Sequence, residues 1–448
     1  MQKIFNFLKK ILGKKGTKWI RPLGHGIKGL VAATKYGFPA KKLKVIGITG
    51  TKGKTTTSTI MGRLANLYGI KTGYITTAVI NTGSAKGEFL NPYKMTSIDS
   101  VATQKYLAEM VQNDCEWVIL EISSQGLEQN RHWGIFGFDE VMFLNIYPEH
   151  IEAHGSWEKY KSAKGKLFEN LKPNGVFLAN KGIKESEEMW QKIPAKIREN
   201  TTKVDIGADQ FRIQCKKNTL FQDLVVNNKN YSTNFTAPFD IFNSFFAIKA
   251  ISNLVAKTNL ERENIEVKLL SELKNVSGVP GRMQWVLEDS DNVSILVDYA
   301  HEPESMKQLM QTLSGWREDG FFENIIHVVS CDGVGRDDWK KPILGQTSYD
   351  FADYSILTTD NYEDGDNPQD IVNLLSSSLD KNEVNKRYFK ILNRKNAFKK
   401  ALEIAIESRK KVVIVSTGVG SEQGLTQPSG KMEWDEKEVW KKLAGEIN

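Results

Sequence analysis

Residues 44–57 decide the fold and read Lys-Val-Ile-Gly-Ile-Thr-Gly-Thr-Lys-Gly-Lys-Thr-Thr-Thr. The apolar residues 45–48 predict a buried strand, and the two glycines after it predict a turn. Lys54 and Thr55 then open a helical pattern. Glycines let backbone N–H groups approach an anion, and a helix N-terminus adds partial positive charge. The stretch therefore predicts a phosphate-binding loop.

The residue types after the turn suit a nucleotide with its metal ion. Lys54 can reach the β- and γ-phosphates, and the Thr55 hydroxyl can hold Mg²⁺. One position departs from the strict pattern, because Ile48 stands where a glycine is usual and Gly50 follows instead. A glycine-rich turn without a ligand is the alternative. The order of strand, glycines, Lys-Thr and helix favours the nucleotide.

Composition sets the class of protein. The chain has 448 residues, 40% of them hydrophobic and 26% charged, which is typical of a globular protein with two or three domains. No apolar run is long enough to span a bilayer. The three cysteines are far apart and show no metal or redox spacing, so we expect a cytoplasmic protein. We also expect a monomer.

The basic residues are concentrated at the N-terminus. Residues 1–44 hold twelve Lys or Arg and no acid, so the rest of the chain is mildly acidic and no nucleic-acid partner is expected. Apolar residues at helical spacing alternate with lysines in residues 1–16, which predicts a basic amphipathic helix. Such a helix can contact an anionic membrane as a peripheral anchor. Packing of its apolar face on the rest of the protein is the alternative.

From residue 44 onward, apolar strand patterns alternate with helical patterns. Such alternation predicts an α/β fold in which a mostly parallel sheet is covered by helices. A second alternating block begins near Val293, after the turn-rich segment 276–282. We expect a short N-terminal segment (1–40), a P-loop central domain (41–278) and a Rossmann-like α/β C-terminal domain (279–448).

Polar side chains at predicted strand ends are candidates for chemistry, because open α/β sheets bind ligands there. Glu121 ends one apolar strand and is a candidate Mg²⁺ carboxylate. His150 follows the next strand, although by itself it is more often a structural histidine. Lys164 alone would be read as a solvated lysine.

Six segments in the same order resemble the Mur ligases, most closely the branch that adds the third residue of the peptidoglycan stem peptide. They are Thr49–Thr56, Leu120–Arg131, Asn145–His150, Ala163 with Lys164, Val279–Arg282 and Asp298–Pro303. The resemblance covers roughly residues 41–448. It implies an ATP-dependent ligase that activates a carboxylate as an acyl phosphate and joins it to an amine. The implied substrates are a UDP-N-acetylmuramoyl peptide and a free amino acid.

The resemblance also implies residue roles. Lys54, His150 and an N-carboxylated Lys164 would be catalytic. The ligands of two Mg²⁺ ions would include Thr55, Glu121, His150 and Lys164. The nucleotide would be held by Gly50, Thr51, Lys52, Gly53, Lys54, Thr55, Thr56, Asn243, Arg282, Asp298 and His301. The other substrates would be held by Thr96, Ser97, Ser123, Gln129, Arg131, Arg336, Asp360, Asn361, Gly418 and Glu422.

Three departures from the family pattern bear on the substrates. Only some forty residues precede the first strand, where the family has a uridine-binding domain of about a hundred. Glu363 stands where the family has an arginine that grips a distal carboxylate. Ser421 and Gln125 each replace a family histidine. The alternatives are a related ligase acting on an amino-acid polymer or a lipid-linked muropeptide, and a P-loop ATPase or kinase.

Overall fold

The computed structural model describes residues 22–446, except Lys94, Lys217, Asp291, Arg336 and the side chains of Asp289 and Ser290. The predicted helix in residues 1–16 and the predicted substrate residue Arg336 lie outside the described residues.

The helices are residues 22–35 (α1), Lys54–Tyr68 (α2), Ser100–Gln112 (α3), Ser124–Glu128 (α4), Ile151–His154 (α5), Trp157–Gly165 (α6), Glu185–Gln191 (α7), Ala195–Arg198 (α8), Pro238–Val255 (α9), Asn259–Glu272 (α10), Pro303–Glu318 (α11), Lys341–Phe351 (α12), Pro368–Leu375 (α13), Arg394–Ser408 (α14) and Glu436–Gly445 (α15). The strands are Lys44–Thr49 (β1), Thr72–Ile75 (β2), Val79–Asn81 (β3), Phe89–Leu90 (β4), Trp117–Glu121 (β5), Phe138–Phe143 (β6), Leu171–Asn180 (β7), Thr202–Ile206 (β8), Arg212–Cys215 (β9), Gln222–Val226 (β10), Lys229–Ser232 (β11), Gln284–Ser290 (β12), Val293–Val297 (β13), Asn324–Cys331 (β14), Tyr354–Thr359 (β15), Tyr388–Lys390 (β16), Val412–Ser416 (β17), Leu425–Gln427 (β18) and Gly430–Met432 (β19).

The first large sheet has eight strands in the order β4-β3-β2-β5-β1-β6-β7-β8. Strands β2, β5, β1, β6, β7 and β8 run parallel, and β3 and β4 add an antiparallel edge. Helices cover both faces, so Val45 and Ile46 enter separate cores on opposite sides of β1. The carboxyl ends of β1, β5 and β6 meet at one edge, which places the phosphate-binding loop beside Glu121.

The second large sheet has six strands in the order β12-β13-β17-β14-β15-β16. All neighbours are parallel except β12 and β13. A small antiparallel sheet of β9, β10 and β11 precedes α9 in the chain. The predicted α/β class, with a mostly parallel sheet in each block, is therefore confirmed.

Most predicted elements are present, with shifted ends. The apolar run at 141–146 predicts a strand, and β6 spans Phe138–Phe143. The helical pattern at 156–170 predicts a longer helix than α6, which ends at Gly165. Helix α2 ends where expected, because Gly69 takes a left-handed conformation with φ of 103°. Among the described residues, no helix is long and apolar enough to cross a membrane.

Candidate active site

The turn between β1 and α2 has the form of an anion cradle. Gly53 takes a left-handed conformation with φ of 78°, and a Cβ atom there would lie 2.6 Å from Asn243 Oδ1. Lys54 Nζ donates to the Thr51 carbonyl at 2.9 Å, so the ammonium is held over the turn. Asn145 fixes the turn through Oδ1, which accepts from the backbone N–H groups of Thr51 and Lys52.

The oxygen donors predicted for Mg²⁺ lie together. The Thr55 hydroxyl is 3.0 Å from both carboxylate oxygens of Glu121. The backbone N–H of Thr77 donates to Glu121 Oε2 at 2.6 Å, and Arg282 Nη2 lies 3.4 Å from the Thr55 hydroxyl. Hydroxyl and carboxylate oxygens are the ligands that Mg²⁺ prefers, so the residue types fit this ion.

Lys164 is a buried cation next to other cations. Its side chain is 2% exposed, and Nζ donates to the Gly50 carbonyl at 2.8 Å. Burial first, and then the charges of Lys54 and Lys52, lower the pKa of Lys164 well below its usual value. The sequence-based view of a solvated lysine is therefore wrong, because burial and neighbouring like charges disfavour the charged form of this amine.

A charged network crosses from the first sheet to the second. Glu149 Oε1 lies 3.7 Å from Lys52 Nζ, 3.6 Å from His150 Nε2 and 3.8 Å from His301 Nε2. Burial opposes the negative charge on Glu149, but these neighbours hold its pKa below the usual range. His150 Nδ1 also lies 3.8 Å from Asp337 Oδ2. His150 and His301 therefore face the same carboxylate from opposite sides of the cleft.

Tyr299 and Glu422 organise the wall from the second sheet. The Arg282 guanidinium lies 4.2 Å from the centre of the Tyr299 ring, and the Tyr299 hydroxyl donates to Glu422 Oε1 at 2.9 Å. Asn361 Nδ2 donates to Glu422 Oε2 at 3.2 Å. Gly418 allows close packing here, because a Cβ atom would lie 2.3 Å from Ser330 Oγ.

Buried carboxyls are a second property of this wall. Asp298 accepts from the backbone N–H groups of Met283 and Ala300, each at 2.8 Å. Burial, followed by the charge of Asp298, raises the pKa of Asp240 to about 8. Burial, followed by the charge of Asp332, raises the pKa of Asp360 to about 7. The wall is thus rich in acids, and burial favours the neutral form of Asp240 and Asp360.

The far end of the cleft is lined by hydroxyls and one arginine. Ser97 Oγ accepts from the backbone N–H of Ser123 at 3.0 Å, and Arg131 Nη1 donates to the Ser97 carbonyl at 2.6 Å. Gln129 orients the same guanidinium, since its Oε1 accepts from Arg131 Nε at 2.9 Å. The Thr77 hydroxyl donates to that of Thr96 at 2.9 Å.

These groups surround one cavity of about 1480 Å³ between the two sheets. Gly50 and Gln129 do not line this cavity. The Gly50 carbonyl accepts a hydrogen bond from Lys164, and Gln129 Oε1 accepts one from Arg131, and both of these donors do line it. The predicted site residues that line it are Thr51, Lys52, Gly53, Lys54, Thr55, Thr56, Thr96, Ser97, Glu121, Ser123, Arg131, His150, Lys164, Asn243, Arg282, Asp298, His301, Asp360, Asn361, Gly418 and Glu422.

Sequence reasoning missed several groups in the same cleft. Lys340 Nζ lies 2.5 Å from Glu302 Oε1, and Glu302 raises the pKa of this buried lysine against the effect of burial. His132 Nε2 lies 3.1 Å from Ser97 Oγ, and burial lowers its pKa to about 4. Glu302 lies inside the quoted Asp298–Pro303 segment and could have been found there. Lys340 is the first residue of a Lys-Lys-Pro sequence, which is typical of an exposed helix N-terminus. The sequence therefore contains no indication that this lysine is buried in a cleft.

The fold and the cradle define a P-loop protein that binds a nucleotide phosphate next to a second α/β unit. Comparison with known families finds the Mur ligase middle domain at residues 48–251 and the Mur ligase glutamate ligase domain at residues 281–418. The chain belongs to the Mur ligase family and is an ATP-dependent ligase.

Similar proteins include two enzymes named UDP-N-acetylmuramoyl-L-alanyl-D-glutamate--2,6-diaminopimelate ligase. The enzyme of Clostridium perfringens is 29% identical over 419 residues, which is 92% of this chain and 80% of that protein. The enzyme of Geobacillus kaustophilus is 29% identical over 418 residues, with the same coverage.

Two solved structures share the fold. A diaminopimelate ligase of the same name superposes with a TM-score of 0.56 and 22% identity, covering 94% of this chain and 83% of that one. The folylpolyglutamate synthase of Mycobacterium tuberculosis, complexed with ADP and AMPPCP, gives a TM-score of 0.69 and 15% identity. That match covers 88% of this chain and 93% of that one.

Proposed function

We propose that the protein adds an amino acid to a UDP-N-acetylmuramoyl peptide, with hydrolysis of ATP to ADP and phosphate, in peptidoglycan precursor synthesis. One observation carries the proposal. The phosphate cradle at Lys54, the buried amine of Lys164 and the acid-rich wall at Glu422 all open into the same cavity. A carboxylate, a phosphoryl donor and an amine can therefore meet there.

The reaction needs activation, because a carboxylate is a poor acyl donor to an amine. Transfer of the γ-phosphoryl group makes an acyl phosphate, the amine attacks its carbonyl carbon, and phosphate leaves. Lys54 lies where it can stabilise charge on the transferred phosphoryl group. Arg282 Nη2 lies 3.4 Å from the Thr55 hydroxyl, so its guanidinium is close enough to the phosphate-binding loop to bind the nucleotide. The acid-rich wall around Glu422 orients the ammonium of the incoming amino acid.

Two Mg²⁺ ions are part of the proposal. Thr55 and Glu121 would hold one ion, and His150 with Lys164 would hold the other. Bound Mg²⁺ neutralises phosphate charge and aligns the phosphoryl group. The chain's own contribution is to present oxygen donors from β5 and α2 in one place before the ion arrives.

Lys164 fits an N-carboxylated lysine. The ammonium first loses one proton, and the resulting amine attacks CO₂, forms an N–C bond and releases a second proton, so that a buried cation becomes a carbamate anion. The remaining N–H of the carbamate can still donate to the Gly50 carbonyl. Replacing a positive charge beside Lys54 and Lys52 by a negative one relieves repulsion, because the three lysines would otherwise compete in a desolvated site.

The architecture and location complete the proposal. A central domain (41–278) carries the nucleotide, and a C-terminal domain (279–448) carries the amino acid. The enzyme works as a monomer on the cytoplasmic side, and residues 1–16 contact the membrane surface through lysines and an apolar stripe.

A panel assay of ADP release tests the function. ATP is supplied with UDP-muramoyl peptides and single amino acids, together and separately. Release should depend on both co-substrates, and the product should gain one amino-acid residue by mass. ADP release that ignores both would indicate an ATPase. Release that needs an amino acid but accepts a different carboxylate would place the enzyme with ligases of another acyl acceptor.

A further inference from the structure

Helix α1 is held on the body of the protein by small residues. A Cβ atom at Gly26 would lie 2.4 Å from the Trp133 ring, and one at Gly29 would lie 2.4 Å from the Trp133 carbonyl oxygen. Ala33 on the same side is fully buried. Larger side chains would push the helix away, so α1 is seated closely through this face.

The side of α1 next to this seated face is apolar and exposed. Leu23, Ile27, Leu30 and Val31 are 51%, 42%, 38% and 50% exposed. Their spacing of i, i+4, i+7 and i+8 puts them on one stripe. A surface helix ordinarily turns polar residues outward, and single exposed apolar residues are common, but a continuous stripe marks an interaction surface.

Aromatic rings and lysines lie near this stripe, since Trp133 packs on Gly26, whose neighbours along the helix face are Leu23 and Leu30. Trp133 and Phe136 are 38% and 45% exposed, and Lys41 Nζ lies 4.8 Å from the centre of the Phe136 ring. Residues 22–44 contain five lysines and no acid. Those lysines are Lys28, Lys35, Lys41, Lys42 and Lys44.

We propose that these side chains form a membrane-docking surface, the α1 patch, made of the apolar stripe with Trp133 and Phe136. Its occupant is the interface of an anionic bilayer. Charge complementarity carries the choice: lysines around an apolar surface suit lipid phosphates, and amphipathic aromatic rings concentrate at that depth. The cores of protein–protein interfaces, in contrast, are depleted of lysine.

The patch also fixes an orientation. Arg131 lines the cavity, and Trp133 follows it by two residues in the same loop. Docking of the α1 patch would therefore hold the end of the cavity near Arg131 towards the headgroups. This inference concerns the described body of the protein and is independent of both the ligase reaction and the proposed contact of residues 1–16.

Vesicle sedimentation of the full chain tests the patch. The test variant is Ile27→Glu/Val31→Glu, and the matched control is Leu260→Glu/Ile406→Glu, at residues that are exposed elsewhere. We expect the wild type and the control to bind phosphatidylglycerol vesicles and to ignore phosphatidylcholine vesicles. The test variant should bind at least tenfold less, with unchanged thermal stability and unchanged turnover of soluble substrate. Lys9→Glu/Lys10→Glu examines residues 1–16 separately.

Three outcomes would overturn the inference. Equal vesicle binding by the test variant and the wild type means that the stripe does not touch lipid. A fall in melting temperature with unchanged vesicle binding means that residues 1–21 cover the stripe. A change from dimer to monomer in light scattering, with no vesicle binding by the wild type, assigns the stripe to a second copy of the chain. Loss of ligase activity in every sample would challenge the proposed function and leave this result standing.

Discussion

Lys164 shows how the surroundings of a single residue change its chemistry. A lysine on a surface helix is ordinarily charged, but this one is buried between the phosphate-binding turn and the ring of Tyr160, 4.7 Å from Nζ. The proposed carbamate predicts that Lys164→Ala lowers the turnover number at least roughly 10²-fold, since a charge near the phosphoryl group is lost. Steady-state ADP release measures this loss.

The rescue experiment separates the carbamate from simple packing. Short carboxylates such as acetate should restore part of the activity of Lys164→Ala, because they return a negative charge to the vacated space. Lys159→Ala, at an exposed position of the same helix α6, should behave as the wild type. Full turnover by Lys164→Ala without added carboxylate would refute the role.

Asp240 makes stability depend on pH. Its folded-state pKa of about 8 lies above the ordinary aspartate value of 3.8, so the folded chain binds more protons than the unfolded chain between these pH values. Burial of Asp240 therefore does not lower the free energy of unfolding below about pH 4. Between about pH 4 and pH 8 it lowers that free energy progressively as the pH rises. We expect Asp240→Asn to raise the melting temperature by about 2 °C or more at pH 8.5, and by less at pH 5.

The control for this experiment is Asp364→Asn, because Asp364 is exposed. That variant should show no such trend with pH. A gain from Asp240→Asn that is equal at pH 5 and pH 8.5 would mean that Asp240 is not protonated in the folded state.

The structure brings predicted site residues together where a motif has a fixed spacing. Lys54, Thr55 and Glu121 line the same cavity because strand ends and a glycine turn locate them along the chain, and their roles stay predictions. Glu302 and Lys340 were missed because their pairing depends on the way α11 and the start of α12 meet, about forty residues apart in sequence. Arg336 lies outside the described residues and stays a prediction.

At the scale of elements, loops at the carboxyl ends of β13, β15 and β17 form the wall facing the nucleotide. The loop after β15 carries Asp360 and Asn361 into the cavity, while Glu363 is exposed and its N–H donates to Asp366 Oδ2 at 2.9 Å. A glutamate at this position would repel a distal carboxylate of the amino acid and favour an ammonium. We therefore expect lysine or ornithine to be a better substrate than meso-diaminopimelate.

Competition kinetics decide the role of Glu363. The ratio of kcat/KM for lysine to that for meso-diaminopimelate should exceed one in the wild type. Glu363→Arg should lower this ratio roughly tenfold, as expected when one charged contact reverses sign. Glu407→Arg, on the outer surface of α14, serves as control. A clear wild-type preference for diaminopimelate would contradict the prediction.

Long buried strands were predicted well, and short edge strands were not. Strands β5 and β17 are almost continuous apolar runs, as expected for parallel strands covered on both faces. Strands β3 and β4 have only three and two residues and pair antiparallel at a sheet edge. Runs this short cannot display the period-two alternation of a strand, so the local sequence holds little signal for them.

At the scale of the whole molecule, the site exists only where the two sheets face each other. Glu152, in α5, accepts a hydrogen bond from the backbone N–H of Asp337 at 2.8 Å. Glu149 and His301 approach across the same gap. These contacts place the loop after β14 over the phosphate cradle, so in the proposed reaction they would link binding of the nucleotide to placement of the amino acid.

Removing the Glu152 contact should therefore affect the two substrates unequally. The ATP site is built by β1, α2 and α9, so the KM for ATP of Glu152→Ala should change less than twofold. The kcat/KM for the amino acid should fall roughly tenfold, because a hydrogen bond to a charged group contributes about 1.5–3 kcal/mol. Glu158→Ala, on the exposed side of α6, should match the wild type in both constants. An equal change in both constants would mean that Glu152 supports the fold as a whole, whereas a selective loss for the amino acid ties this contact to closure of the cleft.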